Sequence, residues 1–195
     1  MTLSDGSTVT LNTDTAISVT FTTDERNVSL LKGEAYFDVT HQSNRPFTVA
    51  GNVSTTRVVG TRFLVKVMPD EEKVTVLKGL VQVNSQHQQA LLHPNEQVQT
   101  TPVGLSPIQT QIDNREAAWL NGHLAYHDQT LSQVVKELDR YIPGWVVVTG
   151  DNLKGYRISG RFNIAQPQNA LDTLAYTLPV NVAHIGPWLT VIRPK

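Results

Sequence analysis

The sequence predicts an α+β protein in which an all-β part comes first and a smaller mixed part follows. Three observations predict this order: a repeated strand–glycine–strand unit, the lack of helical periodicity before residue 112, and a change of periodicity after a Pro/Gly/Ser/Thr-rich segment at 100–107. The composition, with 39% hydrophobic and 17% charged residues, is that of a globular chain. Its 195 residues allow one large domain or two small ones.

The repeated unit defines the first part of the chain. The Leu-Lys-Gly sequence at 31–33 recurs at 77–79, and alternating apolar residues flank both copies. Between the copies, Gly60 separates two further short strands. Glycine permits the positive φ that a tight turn or bulge requires. The pattern predicts an all-β domain over residues 1–111, built as a sandwich or a solenoid-like stack of hairpin-like units.

The second part alternates between strand and helix patterns. A linker with a short helix is predicted at 112–122, capped by Asp113 or Asn114 and ended by Asn121-Gly122. Residues 123–195 then read as β-α-β followed by β-α-β-β, which predicts a small two-layer domain of two βαβ-like units. The first of its helices follows an N-cap at 128–130, and Pro167 opens the second.

Composition and charge limit the function. A net charge of −1 and a pI near 6.6 provide no electrostatic attraction to nucleic acid. The chain has no cysteine, so disulfides and thiolate chemistry are excluded. No apolar run reaches the roughly 20 residues of a membrane span. Because strand-like sequence follows Met1 directly, we expect an excised soluble fragment with an added start residue.

No catalytic or metal motif is present, so we expect neither enzymatic activity nor a cofactor. The sequence contains no nucleophile elbow, no phosphate-binding loop ending in Gly-Lys-Ser/Thr and no His-Glu-x-x-His. His123 and His127 have the spacing of a helical metal pair, but they fall in a predicted strand. Four residues of strand span about 13 Å, which is too far for one zinc ion.

The acidic groups are interpreted as structural. Those at 24–25 and 70–72 fall in predicted turns and are expected to be solvated, although two carboxylates facing each other across a cleft would allow glycan hydrolysis. Glu34 is predicted to pair with Arg45 or Arg62 and to hold the first hairpin together.

The aromatic residues suggest a binding module. Trp119 is expected to anchor the linker against a domain core, and of Trp145 and Trp188 we expect one in the core and one exposed. A small two-layer sheet covers only one of its faces, and its open face or unpaired edge is a docking surface. The predicted contact residues are Tyr126, Trp145, Arg157, Ser159, Arg161 and Trp188.

The order of several short motifs resembles the FecR family. The motifs lie at 3–12 (LSDGSTVTLN), 31–39 (LKGEAYFDV), 45–49 (RPFTV), 60–65 (GTRFLV) and 76–83 (VLKGLVQV). The junction at 118–126 and the helix pattern at 131–141 resemble the continuation of the same proteins. The segments at 158–162 and 170–175 are similar to the short signalling domain shared by secretins and TonB-dependent transporters.

The resemblance implies a periplasmic signal receiver. FecR-like proteins are single-pass inner-membrane regulators of extracytoplasmic-function (ECF) sigma factors. Their cytosolic segment binds the sigma factor, and their periplasmic part receives the signal from an outer-membrane TonB-dependent siderophore transporter. Regulatory proteases then act on them. The chain is therefore expected to be the periplasmic portion alone, without the cytosolic segment and the membrane span.

Two other functions stay open from the sequence. The second part resembles secretin ring domains, so an oligomeric interaction module is one alternative. A cell-wall glycan hydrolase or binding protein that uses an acidic pair is the other. The missing catalytic motif argues against the enzyme, and the FecR-like first part argues against the ring module.

Overall fold

The chain folds into two compact units, Met1–Ala117 and Ala118–Lys195. The structure is a computed structural model that describes residues 1–110, 112, 114–153 and 155–195. The predicted helix cap Asp113 lies outside the described residues. None of the helices in the described part of the chain is both long enough and apolar enough to cross a membrane.

The first unit is one sheet of eleven strands. The strands are β1 (Thr8–Leu11), β2 (Ala16–Phe21), β3 (Arg26–Asp38), β4 (Phe47–Ala50), β5 (Thr55–Val58), β6 (Arg62–Val67), β7 (Glu72–Lys78), β8 (Val81–Ser85), β9 (Gln88–Leu92), β10 (Gln97–Thr101) and β11 (Gly104–Leu105). Their order is β11-β10-β7-β6-β3-β4-β5-β8-β9, and β1 and β2 both pair with β3.

The sheet curves around its core until its two ends approach each other. The Leu105 N–H of β11 donates to the Gln88 side-chain oxygen of β9 over 2.7 Å, so the sheet is nearly closed. Alternating apolar residues of the strands point inward, as the period of two predicts. Among them Phe37 stacks on Phe63 with ring centroids 5.1 Å apart and meets Phe47 edge-on.

The repeated Leu-Lys-Gly unit does not form hairpins, so this part of the prediction is wrong. Gly33 lies inside the continuous strand β3, whose first half pairs with β2 and β4 and whose second half pairs with β1 and β6. Gly79 separates β7 from β8, which pair with other strands. Both glycines have positive φ, +87° and +89°. The Leu-Lys-Gly unit is therefore a corner at which the chain passes from one part of the sheet to another. The strand order also differs from that of a solenoid, because in a solenoid each repeat contacts only its neighbours.

One acidic residue that was expected to be solvated is buried. Glu72 is the first residue of β7, and its side chain is fully enclosed. Its carboxylate accepts hydrogen bonds from the Val53 N–H, over 2.8 Å, and from the Ser54 hydroxyl. The prediction failed because Glu72 belongs to the strand and points inward there, where hydrogen bonds replace its hydration.

The predicted ion pair of Glu34 with Arg45 or Arg62 is also replaced by another arrangement. Glu34 lies opposite Lys66 in the β3–β6 register, 4.0 Å from its ammonium group, and accepts a hydrogen bond from Asn12 over 2.9 Å. Arg62 lies opposite Asp38 and pairs with that carboxylate over 2.9 Å. Strand register selects these partners.

The second unit contains the predicted order of strands and helices. A 3₁₀ helix spans Asn114–Asn121 and is followed by β12 (His123–Thr130), α1 (Leu131–Asp139), β13 (Trp145–Val148), a 3₁₀ turn (Asp151–Leu153), β14 (Arg157–Asn163), α2 (Pro167–Thr177), β15 (Val180–Ile185) and β16 (Leu189–Pro194). The strands form two sheets, β12-β14 and β13-β16-β15. Each helix therefore joins strands of different sheets, and the predicted βαβ units within one sheet are not present.

Both helices begin where the sequence signals place them. Thr130 caps α1 through a reciprocal capping box with Gln133, and Pro167 opens α2. The apolar stripe of each helix is buried: Leu131, Val134, Val135 and Leu138 in α1, and Ala170, Leu171 and Leu174 in α2. The helical period of 3.6 thus gave the correct buried face in each case.

Candidate partner-binding site

One face of the three-stranded sheet β13-β16-β15 is apolar and uncovered. Residues directly opposite each other on neighbouring strands point to the same face. Trp145 lies opposite Leu189, which lies opposite Ile185, and the next row of this face continues the pattern with three small apolar residues. We call this surface the open sheet face; its residues are Trp145, Val147, Ala183, Ile185, Leu189 and Val191.

The helices lie against the opposite face of the same sheet. Helix α1 contacts β13 and α2 contacts β15. Among the residues that alternate with the open sheet face, Val180 and Ile192 are fully buried and Thr190 is nearly so. On the open sheet face, by contrast, 69% of Trp145 and 58% of Ile185 are exposed to solvent. A layer of helices on one side only leaves the other side of the sheet to solvent.

A second tryptophan lies at one end of the open sheet face. Trp188 is in the turn between β15 and β16 and is 61% exposed, and its carbonyl oxygen accepts a hydrogen bond from the Trp145 N–H over 2.8 Å. The expectation that one of these tryptophans lies in the core is wrong. Trp145 occupies an outward position of β13, and Trp188 lies in a turn, so neither reaches the core.

The margin of this sheet is less open than its face. Since the Trp145 N–H is directed toward β16, the N–H of the next residue, Val146, is directed away from it. That N–H donates to the Asp139 carboxylate at the end of α1 over 2.7 Å. A strand added along β13 would have to displace this carboxylate, so the geometry favours docking on the face over docking on the β13 edge.

The open sheet face contains no charged side chain. The nearest charge in the register is Arg193, which lies opposite Asn181 in the row beyond Val191 and Ala183. A contiguous apolar surface that is exposed in this way is typical of an interaction site. Its recognition chemistry is therefore burial of apolar area, with two tryptophans as the largest groups available to a partner.

Three of the predicted contact residues lie on the other sheet. Arg157, Ser159 and Arg161 alternate along the exposed side of β14. Arg157 donates to the Asp128 carbonyl over 2.8 Å, and the Ser159 hydroxyl accepts from the Asp128 N–H over 2.9 Å. These bonds hold the irregular part of β12, where the register with β14 shifts.

The sixth predicted contact residue, Tyr126, points to the inner side of its sheet. It lies opposite Gly160, and its ring packs against Phe162 with centroids 5.8 Å apart. It is half-buried. The expectation of an exposed tyrosine is thus corrected, because Tyr126 alternates in phase with the buried Leu124. Of the six predicted residues, Trp145 and Trp188 thus lie at the three-stranded sheet, whereas Arg157, Ser159 and Arg161 share the exposed side of β14.

Sequence reasoning missed most of the open sheet face, although part of the signal was present. Val147 follows Trp145 at the period of two that places both on one face of β13. Ile185 and Leu189 flank a three-residue turn and therefore face each other in a hairpin. The assembly of β13 beside β16 is a parallel pairing between segments more than forty residues apart, and no local pattern predicts it.

The acidic residues of the catalytic alternative can be located in the structure. In the part of the chain that the structure describes, no group of three or more His, Asp or Glu side chains could hold a metal ion. Asp24 and Glu25 are exposed in the turn between β2 and β3. Glu72 is enclosed and bonded to Ser54 and the Val53 N–H, so it does not face a cleft with a second carboxylate.

Comparison with known proteins shows what the chain is similar to. Residues 1–82 of its 195 residues match the family model described as FecR protein, so the first part of the chain resembles FecR proteins. Two crystal structures of a candidate anti-sigma factor from Parabacteroides distasonis, at 1.65 and 2.50 Å resolution, are similar to the chain over its whole length. Their TM-scores are 0.86 and 0.85, each with 26% sequence identity and coverage of 93% of the neighbour's chain.

No curated protein sequence matches this chain. The FecR match of the first part and the structural neighbours together support the role of an anti-sigma regulator.

Proposed function

We propose that the chain is the periplasmic signal-receiving region of a transmembrane anti-sigma regulator. In this proposal the N-terminal signalling domain of an outer-membrane TonB-dependent siderophore transporter docks on the open sheet face. The regulator then relays iron-uptake status to an ECF sigma factor through a cytosolic segment, with regulatory proteases acting on the way. The chain works by binding and not by catalysis.

The observation that carries the proposal is the exposure of Trp145 and its neighbours on the open sheet face, whose six residues carry no charge. Burial of apolar area contributes roughly 25 cal/mol per Å². Tryptophans are enriched among the residues that dominate binding energies. The rigid sheet fixes the apolar side chains before a partner arrives, so little conformational freedom is lost on docking.

The test is a calorimetric titration of the full chain with transporter signalling domains from the same organism. Trp145→Ala should weaken binding at least about tenfold, which corresponds to about 1.4 kcal/mol. Its melting temperature should stay near that of the wild type, because the side chain is largely exposed. Binding should also change little between low and high salt, since the face carries no charge.

The matched control is Tyr176→Ala. Tyr176 is an aromatic residue of the same unit, 89% exposed on α2, and does not belong to the open sheet face. Its variant should bind like the wild type. Equal loss in both variants, or no loss in Trp145→Ala, would remove the open sheet face from the binding site. Self-association through this face without any transporter binding would favour the oligomeric module instead.

A further inference from the structure

Strand β2 is an uncovered edge of the first unit. Among the described residues it pairs only with β3. The segment 15–23, Thr-Ala-Ile-Ser-Val-Thr-Phe-Thr-Thr, contains neither a charged residue nor a proline. Charges, prolines and covering segments are the usual means by which proteins prevent an edge strand from pairing with another chain. Strand β2 has none of these three, and its register with β3 is irregular only at its start, between Ala16 and Ile17.

Other marginal strands of this unit are covered. The N-terminal segment lies along β1, where the Val9 N–H donates to the Met1 carbonyl over 2.9 Å. Strands β9 and β11 approach each other, and the Leu105 N–H is bonded to the Gln88 side chain over 2.7 Å. The uncovered β2 is therefore an exception within its own sheet.

The backbone groups of β2 that face solvent can be assigned from its partner strand. The Arg26 N–H donates to the Pro46 carbonyl on the side away from β2. Phe21, which lies opposite Arg26, must then direct its own N–H and C=O away from β3. Because the direction alternates along the strand, Val19 and Ile17 direct theirs to solvent as well.

The same three residues leave an apolar margin of the core exposed. Ile17 and Phe21 are half-buried and pack against the core of the unit. Val19 lies between them on the same face and is 38% exposed. The free backbone groups and the incompletely covered apolar side chains thus occur on the same strand.

We propose that β2 pairs with β2 of a second copy of this chain, antiparallel and centred on Val19. In this register Val19 lies opposite Val19 of the other copy, and Ile17 lies opposite Phe21. All three residues with free backbone groups then meet partners with free groups, which gives about six main-chain hydrogen bonds. A two-fold axis perpendicular to the sheet keeps the apolar side chains of both copies on the same side of the sheet. There, Ile17, Val19 and Phe21 of each copy cover the exposed apolar side chains of the other.

The charges at the two ends of β2 do not oppose a second copy. Lys32 pairs with Asp14 at one end, which is therefore neutral, and the exposed carboxylates of Asp24 and Glu25 lie at the other end. Antiparallel pairing places the neutral end of one copy beside the carboxylates of the other and keeps the two acidic ends apart. The strand is therefore self-complementary in backbone and apolar side chains.

The test is the oligomeric state of the full chain in sedimentation equilibrium between about 1 µM and about 1 mM, because small interfaces give weak dimers. The wild type should dimerise within this range. Val19→Lys and Val19→Glu should each be monomeric, since like charges then face each other across the axis. An equimolar mixture of the two variants should recover the dimer, because residue 19 of one copy faces residue 19 of the other.

Leu91→Lys is the matched control, since it places a lysine at an apolar position that is 47% exposed on another strand, β9. It should dimerise like the wild type, and all variants should keep the wild-type melting temperature. A wild type that stays monomeric to 1 mM would overturn the proposal, even if it bound a strand of another protein. So would a dimer that persists in Val19→Lys, or a mixture that fails to recover it. The proposal does not rest on the transporter-binding function, because β2 and the open sheet face lie in different units.

Discussion

Arg26 is the most demanding residue of the first unit, because its guanidinium group is completely buried. It pairs with Asp5 over 2.8 Å and donates to the carbonyl oxygens of Arg45 and Thr40. Its guanidinium also lies over the Phe47 ring, 5.5 Å from the centroid. One side chain thus fastens the N-terminal turn, the start of β3 and the segment before β4. Removal of one partner from such a buried pair costs about 3–5 kcal/mol, because the other charge stays buried.

The carboxylate of Asp5, the partner of Arg26, makes the stability of the fold depend on pH. Burial acts to raise the pKa of Asp5, but hydrogen bonds from Ser7 and Arg26 and the charge of Arg26 outweigh it and place the pKa below the ordinary value of 3.8. The folded state therefore binds this proton less tightly than the unfolded state. The Asp5 contribution to stability is present above about pH 4 and is lost as the pH falls through the lowered pKa.

We predict that Asp5→Asn lowers the free energy of unfolding by about 3–5 kcal/mol at pH 7. The difference from the wild type should shrink as the pH is lowered from 6 to 2. Urea unfolding at a series of pH values measures both effects. Asp24→Asn, a change of an exposed turn carboxylate, should stay within about 0.5 kcal/mol at pH 7. If the free energies of unfolding of the wild type and Asp5→Asn differ by the same amount at every pH, the lowered pKa of Asp5 is contradicted.

The repeated glycines determine the shape of the elements around them. Gly33 and Gly79 have nearly the same φ, but their surroundings differ. A Cβ on Gly33 would lie 2.3 Å from the Thr15 hydroxyl and 2.5 Å from the Asp14 carbonyl. A Cβ on Gly79 would lie 3.1 Å or more from its nearest neighbour, Thr61. The φ is equally unfavourable for alanine at both corners, whereas the steric conflict is severe at Gly33 and mild at Gly79.

We predict that Gly79→Ala lowers stability by about 1–2 kcal/mol, chiefly the cost of the left-handed conformation. Gly33→Ala should cost more, because the backbone of the neighbouring segment must also move. Guanidinium unfolding of the two variants gives the comparison with a built-in control, since the substitution and the φ are the same. Equal destabilisation would show that the close approach at Gly33 has no energetic consequence.

The elements also show which parts of the fold local sequence can predict. The helices were predicted correctly because the Thr130 cap, Pro167 and the stripe at a period of 3.6 are local signals. The strand–glycine–strand copies were recognised, but their assignment to hairpins was wrong. A glycine with positive φ serves a hairpin turn and a corner between sheet regions equally well, and the difference depends on distant strands.

At the scale of the whole molecule, the features that sequence reasoning missed all depend on pairing between distant strands. Glu72 is buried and Glu34 meets Lys66 because of pairings between segments that are far apart in the chain. The open sheet face likewise exists only because β13 and β15 both pair with β16. The single residues Trp145 and Trp188 were predicted as contacts from strand position and exposed character, whereas the open sheet face beside them could be recognised only from the fold.

The central claim is that a partner docks on the open sheet face, and fluorine NMR of the chain labelled with 5-fluorotryptophan tests it most directly. The chain has three tryptophans, of which Trp119 is 7% exposed while Trp145 and Trp188 are mostly exposed. On titration with an unlabelled transporter signalling domain, we predict that the resonances of Trp145 and Trp188 shift while that of Trp119 stays. Saturable binding in calorimetry that leaves both surface resonances unchanged would contradict the claim.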